Sequence, residues 1–192
     1  SIYSIEKFLV ARRLMYWQVY LHKTVLCAEQ MLKRIIKRAK QIKAATQQPL
    51  HNFITQPIQT ITLQEFCSLD DYDVMAAIKG WCNHEDKILS FLCNGIINRH
   101  LLKVQYFGVP VNQKLVKEKI TEAAARLNIS EADAGWLVFT GEVTSNTYNA
   151  SEEHIQILFK DGTVKDISEV DNALINENLM GKVKKYYICY LR

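Results

Sequence analysis

Apolar residues in the first forty-odd positions recur at helical spacing. From Ile2 to Ala44 there is neither Gly nor Pro, and the pattern predicts one helix that would run ~60 Å. In its second half, Leu21, Val25, Ala28, Leu32, Ile35, Ala39 and Ile42 step by four and three and so hold one face. The first half is apolar nearly all round: Phe8, Leu9, Leu14, Met15, Trp17 and Val19 surround a polar column of Arg12, Tyr16 and Tyr20, spaced i, i+4, with Lys23 one turn on. A helix of that kind is buried as a rule, and an arginine and two phenols in such a place need hydrogen-bonding partners.

Residues 45–60, glutamine-rich with two prolines, predict a flexible loop. Thr62-Leu63-Gln64-Glu65 fits a capping box that starts a short helix. Asp70 or Asp71 caps a helix through about Trp81, with Val74, Ala77, Ile78 and Trp81 inward. A further helix begins at Asn83-His84-Glu85-Asp86, with Ile88, Phe91, Leu92 and Ile96 inward and Gly95 near its end. Both helices are expected to pack on the first half of the long one. Beyond residue 100 the period changes. Strands are predicted over 101–107, 136–144 and 182–191, the last with Val183, Tyr186, Ile188 and Tyr190 available to a core. A hairpin is predicted about Asp161-Gly162, an amphipathic helix over 114–127, a polar loop over 145–153 and a short helix capped by Ser168. The expected fold is mainly α with an α+β C-terminal lobe, a helix packed on a small, mainly antiparallel sheet. The expected division is a helical region at 1–100 and the lobe at 101–192.

Composition narrows the function classes. The chain has 192 residues, 48% apolar and 23% charged, enough for one substantial domain or two small ones. A net charge of +4 is too mild to imply nucleic acid by itself. The five cysteines (27, 67, 82, 93 and 189) are odd in number and form no CxxC, which reads as reduced thiols in a cytoplasmic protein. No apolar run approaches a membrane span, and no signal peptide pattern is present. Lys33, Arg34, Lys37, Arg38, Lys40 and Lys43 lie off the apolar seam. They read as a solvated helix face or, more sharply, as a surface for phosphates or nucleic acid.

Few residue clusters carry chemistry. His84-Glu85-Asp86 splay about a helix, and Asp70, Asp71 and Asp73 sit where carboxylates cap one, so both groups read as helix starts. The five histidines form no HxxxH pair, and no Gly-rich phosphate loop or GxSxG elbow occurs. Cys27, near His22 in sequence, reads as packing rather than as a nucleophile. There remain Arg12, Tyr16, Tyr20, His22 and Lys23. Arginine offers a planar fork to phosphate oxygens, lysine a point charge, and tyrosine a hydrogen bond or a stacking face. The spacing fits either a wall of a nucleotide pocket or a polar seam against another domain.

The run ARRLMYWQVYLHKTVLCAEQML, with Tyr20-Leu21-His22-Lys23 at its heart, resembles a helix of the HD-domain phosphohydrolases, in the bacterial group of deoxynucleoside triphosphate triphosphohydrolases. IYSIEKFLVARR, SLDDYDVMAAIKGW and the closing VKKYYICYLR resemble the same group. In that family a His, a His-Asp pair and a distant Asp hold the catalytic metal. This sequence has no His-Asp dipeptide, so the resemblance implies a C-terminal portion without the catalytic core, with no cofactor of its own and a divalent metal in the parent HD domain. By position, the resemblance implies that Arg12 meets a triphosphate and Tyr20 packs near sugar or base. Tyr16 falls where mammalian SAM- and HD-domain relatives carry a histidine. His22 and Lys23 fall where those relatives contact an activating nucleotide at a subunit interface. The implied partners are the N-terminal HD domain of the same chain, further copies in a homo-oligomer and a nucleotide substrate, with no membrane. The isolated chain is expected to lack hydrolase activity and to self-associate through the face bearing Leu14, Met15, Trp17 and Val19. The alternative is a non-enzymatic regulatory module binding nucleic acid or protein.

Overall fold

The long apolar helix exists, but in two pieces. In the computed structural model, which describes residues 2–145, 155–170 and 183–192, α1 spans Ile2–Met15 and α2 spans Lys23–Ile42. A π-helical turn, Tyr16–Tyr20, lies between them. There Leu21 N–H donates to the Tyr16 carbonyl five residues back (2.7 Å), and His22 turns extended (φ −63°, ψ 137°). The His22 side chain then caps α2, its Nδ1 accepting from Thr24 N–H at 3.3 Å. Nothing at these positions is a Gly or Pro, which is why the expectation of one unbroken helix fails. An inserted residue in a helix needs no breaker in the sequence, only tertiary partners that favour it.

The seam of α2 is also rotated from the expected one. Leu26, Cys27, Met31, Ile35 and Ala39 are buried, whereas Val25 is 48% exposed. The helix packs on several sides at once, so its apolar face is wider than a single seam. On one side lies α6 (Lys87–Ile97), the neighbour of α5 (Asp71–Trp81). On another lies β1 (Lys103–Phe107). The short helices therefore rest on the second half of the long stretch, not the first. A Cβ at Gly95 would stand 2.7 Å from Met31 Cε and 3.2 Å from the His100 carbonyl oxygen, so α6 crosses α2 closely at that glycine. The glutamine-rich stretch is not merely loop: α3 (Leu50–Thr55) buries Leu50, Phe53 and Ile54 beside α2. Their 0, 3, 4 spacing is helical and was masked by the flanking prolines. The capping boxes at Thr62/Glu65 and Asp70/Asp73 form as the sequence predicts, starting α4 (Leu63–Ser68) and α5. Asp86, at the end of the His84-Glu85-Asp86 run, is the cap of α6, accepting from Leu89 N–H.

After β1 come α7 (Gln113–Leu127), α8 (Glu131–Ala134) and β2 (Phe139–Ser145). The hairpin of β3 (Gln156–Leu158) and β4 (Val164–Asp166) turns at Asp161-Gly162 and forms its own two-stranded sheet. The chain closes with β5 (Val183–Tyr190). The expected cap at Ser168 is instead Asp166, which starts a short 3-10 turn, Ile167–Glu169. The remainder of that expected helix, and the expected polar loop at 146–153, lie outside the described residues. The main sheet is antiparallel in the order β1-β5-β2, with Lys103 opposite Tyr190 and Phe139 opposite Cys189. As the central strand, β5 is covered on both faces. Tyr187 and Cys189 join the core around Met31, Ile35 and Leu89, while Ile188 and Tyr190 join Ala123 and Ala124 of α7. Strand-period reasoning that assigns one inward face misses the other. The architecture is thus mainly α with an antiparallel sheet held between α2 and α7.

Two half-buried arginines tie the sheet end to α2. Arg34 lies 4.0 Å from the centroid of the Phe139 ring. Arg38, its side chain 12% exposed, pairs with Asp86 (2.6 Å) and Asp133 (3.1 Å) and sits 5.4 Å from the Trp136 ring centroid. The expected solvated basic face accordingly loses two of its six members to the interior. Amphipathic cations bury their stems and planes wherever a carboxylate and aromatic rings await them. No helix among the described residues is long and apolar enough to cross a membrane.

Candidate functional site

The column predicted from spacing survives the π turn. The Arg12 guanidinium carbon lies 5.9 Å from the Tyr16 ring centroid, and the Tyr16 and Tyr20 rings are 5.2 Å apart, tilted by 50°. Arg12 and Tyr16 are half-buried and Tyr20 is 55% exposed. Around them the helix face stays open: Tyr3, Phe8, Leu14, Met15 and Val19 are all exposed. One cation followed by two aromatic faces suits an anionic group joined to a planar one. On the inner side of α1, Glu6 is fully buried, and neither carboxylate oxygen has a hydrogen-bond partner among the described residues.

His22 and Lys23 lie beyond the break and do not join that column. They line a separate pocket of about 320 Å³ at the N-terminus of α2, together with Arg99, Lys103 and Arg192. Among the described residues no Asp or Glu side chain lines it. Lys23, Arg99, Lys103 and Arg192, an imidazole and the first turn of a twenty-residue helix border one concavity, an arrangement that suits an anion. Arg99 sits there with φ +58°, a left-handed conformation that L residues other than Asn and Asp adopt at some cost.

Spacing could not find Arg99, Lys103 and Arg192, because the end of α6, the start of β1 and the chain end following β5 meet only in the tertiary fold. Spacing also missed the residues that hold the break between α1 and α2. Tyr106 Oη donates to the Leu21 carbonyl at 2.7 Å. Lys185 Nζ lies 4.3 Å from the Trp17 ring centroid and 6.0 Å from that of Tyr106. Lys23 Nζ lies 5.9 Å from the Tyr106 ring centroid. Burial, with the nearby Cys189 thiol, pushes the Tyr106 phenol above its usual pKa, so it stands as a hydrogen-bond donor at neutral pH.

Cys27, Cys93 and Cys189 are buried packing groups, whereas Cys67 is exposed. Cys27 is buried with its Sγ 3.2 Å from the Leu102 carbonyl, and burial pushes Cys93 up to about 12. Among the described residues no three His, Cys, Asp or Glu side chains come together as a metal-ligand set.

Residues 1–134 match the family model described as the HD associated region. The chain belongs to that family. Its whole length superposes on a phosphohydrolase from Bacteroides thetaiotaomicron VPI-5482 with a TM-score of 0.90 at 41% identity, covering 50% of that chain. It is also 28% identical over 190 residues to the uncharacterized protein YwfO of Bacillus subtilis (strain 168), covering 95% of this chain and 43% of that protein. The chain thus spans half or less of the length of these two relatives.

Proposed function

We propose that this chain is the HD-associated portion of a phosphohydrolase acting on (deoxy)nucleoside triphosphates, and that it supplies one wall of the substrate pocket. The observation that carries this reading is the column of Arg12, Tyr16 and Tyr20 on an open face, with the cation 5.9 Å from the first ring centroid and the two ring centroids 5.2 Å apart. Arg12 takes a phosphate oxygen pair through its fork, and Tyr16 and Tyr20 lie along sugar and base. Kinship with a phosphohydrolase supports the reaction class. His22 and Lys23, with Arg99, Lys103 and Arg192, take the polyphosphate of a second nucleotide that regulates the first site. The parent's HD domain holds the metal and generates the nucleophile, so the chain by itself hydrolyses nothing.

The test is equilibrium binding of dGTP to the natural full-length protein and its Arg12→Ala variant. Loss of a charge-assisted, bidentate contact is expected to weaken binding about 10- to 100-fold, with hydrolysis falling in parallel. Unchanged affinity, or metal-dependent dNTP hydrolysis by the isolated chain, defeats the proposal. The reading as a nucleic-acid module gains no support from the fold, because Arg34 and Arg38 of the basic helix are spent on Phe139, Trp136, Asp86 and Asp133.

A further inference from the structure

The break between α1 and α2 is placed by the sheet, not by its own sequence. An uninterrupted helix would satisfy the Leu21 carbonyl with an amide four residues on. Here that carbonyl accepts the Tyr106 hydroxyl from β1 instead. On β5, the Lys185 ammonium lies against Trp17, inside the π turn, and near the Tyr106 ring. Tyr106 is itself fixed by its cross-strand partner Tyr187, edge to face at 6.5 Å. Two adjacent strands therefore hold the π turn, one through a hydrogen bond and one through a cation on an indole face. Isolated π turns are uncommon and recur at functional sites, and this one carries Tyr16 and Tyr20.

One residue belongs to both this clamp and the basic pocket. Lys23 lines the pocket and also lies against the Tyr106 ring. An anion that draws Lys23 towards itself changes what Tyr106 and the Leu21 carbonyl experience. Because binding free energies are linked reciprocally, the state of the π turn must then change the pocket's affinity in return.

We propose that Tyr106 and Lys185 are positioning residues: they clamp the π turn so that Arg12, Tyr16 and Tyr20 stand in one column, and through Lys23 they transmit occupancy of the basic pocket to that column. The coupling half rests on the reading of the pocket and the column given above. The clamp itself does not.

Hydrogen exchange on the full-length protein tests both halves, with Tyr106→Phe, which keeps the ring, and Lys185→Met, which keeps the stem. Without ligand, amides of residues 16–24 are expected to exchange about fivefold faster in Tyr106→Phe and about two- to fivefold faster in Lys185→Met. The buried stretch 26–39 should stay unchanged. Unchanged exchange at 16–24 in both variants overturns the clamp. With inorganic tripolyphosphate, exchange at 16–20 should respond in the parent and not in Tyr106→Phe, although both bind the anion. A purely structural phenol would leave that response intact, and such a result overturns the coupling. Absence of tripolyphosphate binding to the parent refutes the pocket reading and the coupling with it, while the ligand-free comparison still decides the clamp.

Discussion

Arg99 is held at φ +58° where a helix ends and a strand is about to begin. Glycine is the residue that such a position favours. Keeping an arginine there costs about 1 kcal/mol of backbone strain, and Arg99 lines the basic pocket. Arg99→Gly should therefore raise stability by up to about 1 kcal/mol while weakening tripolyphosphate binding several-fold. Urea denaturation and calorimetric titration on the same preparation read the two effects, and a variant that loses stability and keeps binding would contradict the assignment. Gly141 makes the opposite case. It faces Tyr187 across the ladder, and a Cβ there would overlap the phenol ring and hydroxyl. Tyr187 is buried and has no room to retreat, so Gly141→Ala should cost about 1–3 kcal/mol, measurable as a lowered urea midpoint. Neither residue stood out in the sequence, because a lone Arg or Gly says nothing until its neighbours are known.

At the scale of elements, the attachment of α2 to the α6 cap and to α8 is electrostatic and titrates. Burial alone pushes the Asp86 carboxyl up. The hydrogen bond from Arg38, the Leu89 N–H and the Arg38 charge together outweigh that, and its pKa lies below the ordinary value. A carboxyl whose folded pKa is depressed binds fewer protons folded than unfolded. Its stabilisation is complete above the unfolded pKa of about 4 and is lost as pH falls through the lower folded pKa. Urea midpoints compared at pH 6 and pH 3 should fall for the parent and fall less for Asp86→Asn. The variant should be the weaker of the two at pH 6, because Arg38 keeps its charge without a full partner. Equal slopes would count against Asp86 as the titrating group. The capping half of this element was legible in the sequence: Thr62, Asp70 and the acidic run ending at Asp86 announce helix starts by purely local chemistry. The other half was not, since the partners Arg38 and Asp86 stand on different helices, and Asp133 lies beyond the first strand. The π turn was illegible for the same reason. Its determinants, Tyr106 and Lys185, lie far along the chain from the turn they hold.

At the scale of the whole molecule, the face of α1 and the π turn carries a run of exposed apolar side chains. Leu14, Met15 and Val19 are exposed there, with Tyr3 and Phe8 further along α1, and contiguous apolar surface drives association. The isolated chain should therefore show a scattering mass that rises with concentration. The double variant Leu14→Glu, Val19→Glu should restore the monomer, and a parent that stays monomeric at high concentration would show that the face is too small or too broken to associate. Much of this scale was determined by sequence alone: the mainly helical class, the switch to strand period after residue 100, the hairpin at Asp161-Gly162, and the i, i+4 column of Arg12, Tyr16 and Tyr20. These are local properties, set by periodicity, caps and turn chemistry within a few residues. The tertiary structure decided where the long helix breaks, which way α2 rolls, that β5 is central and covered on both faces, and that five scattered basic residues share one pocket. Each of these depends on groups brought together from distant parts of the chain, and only packing the whole chain sets those neighbours.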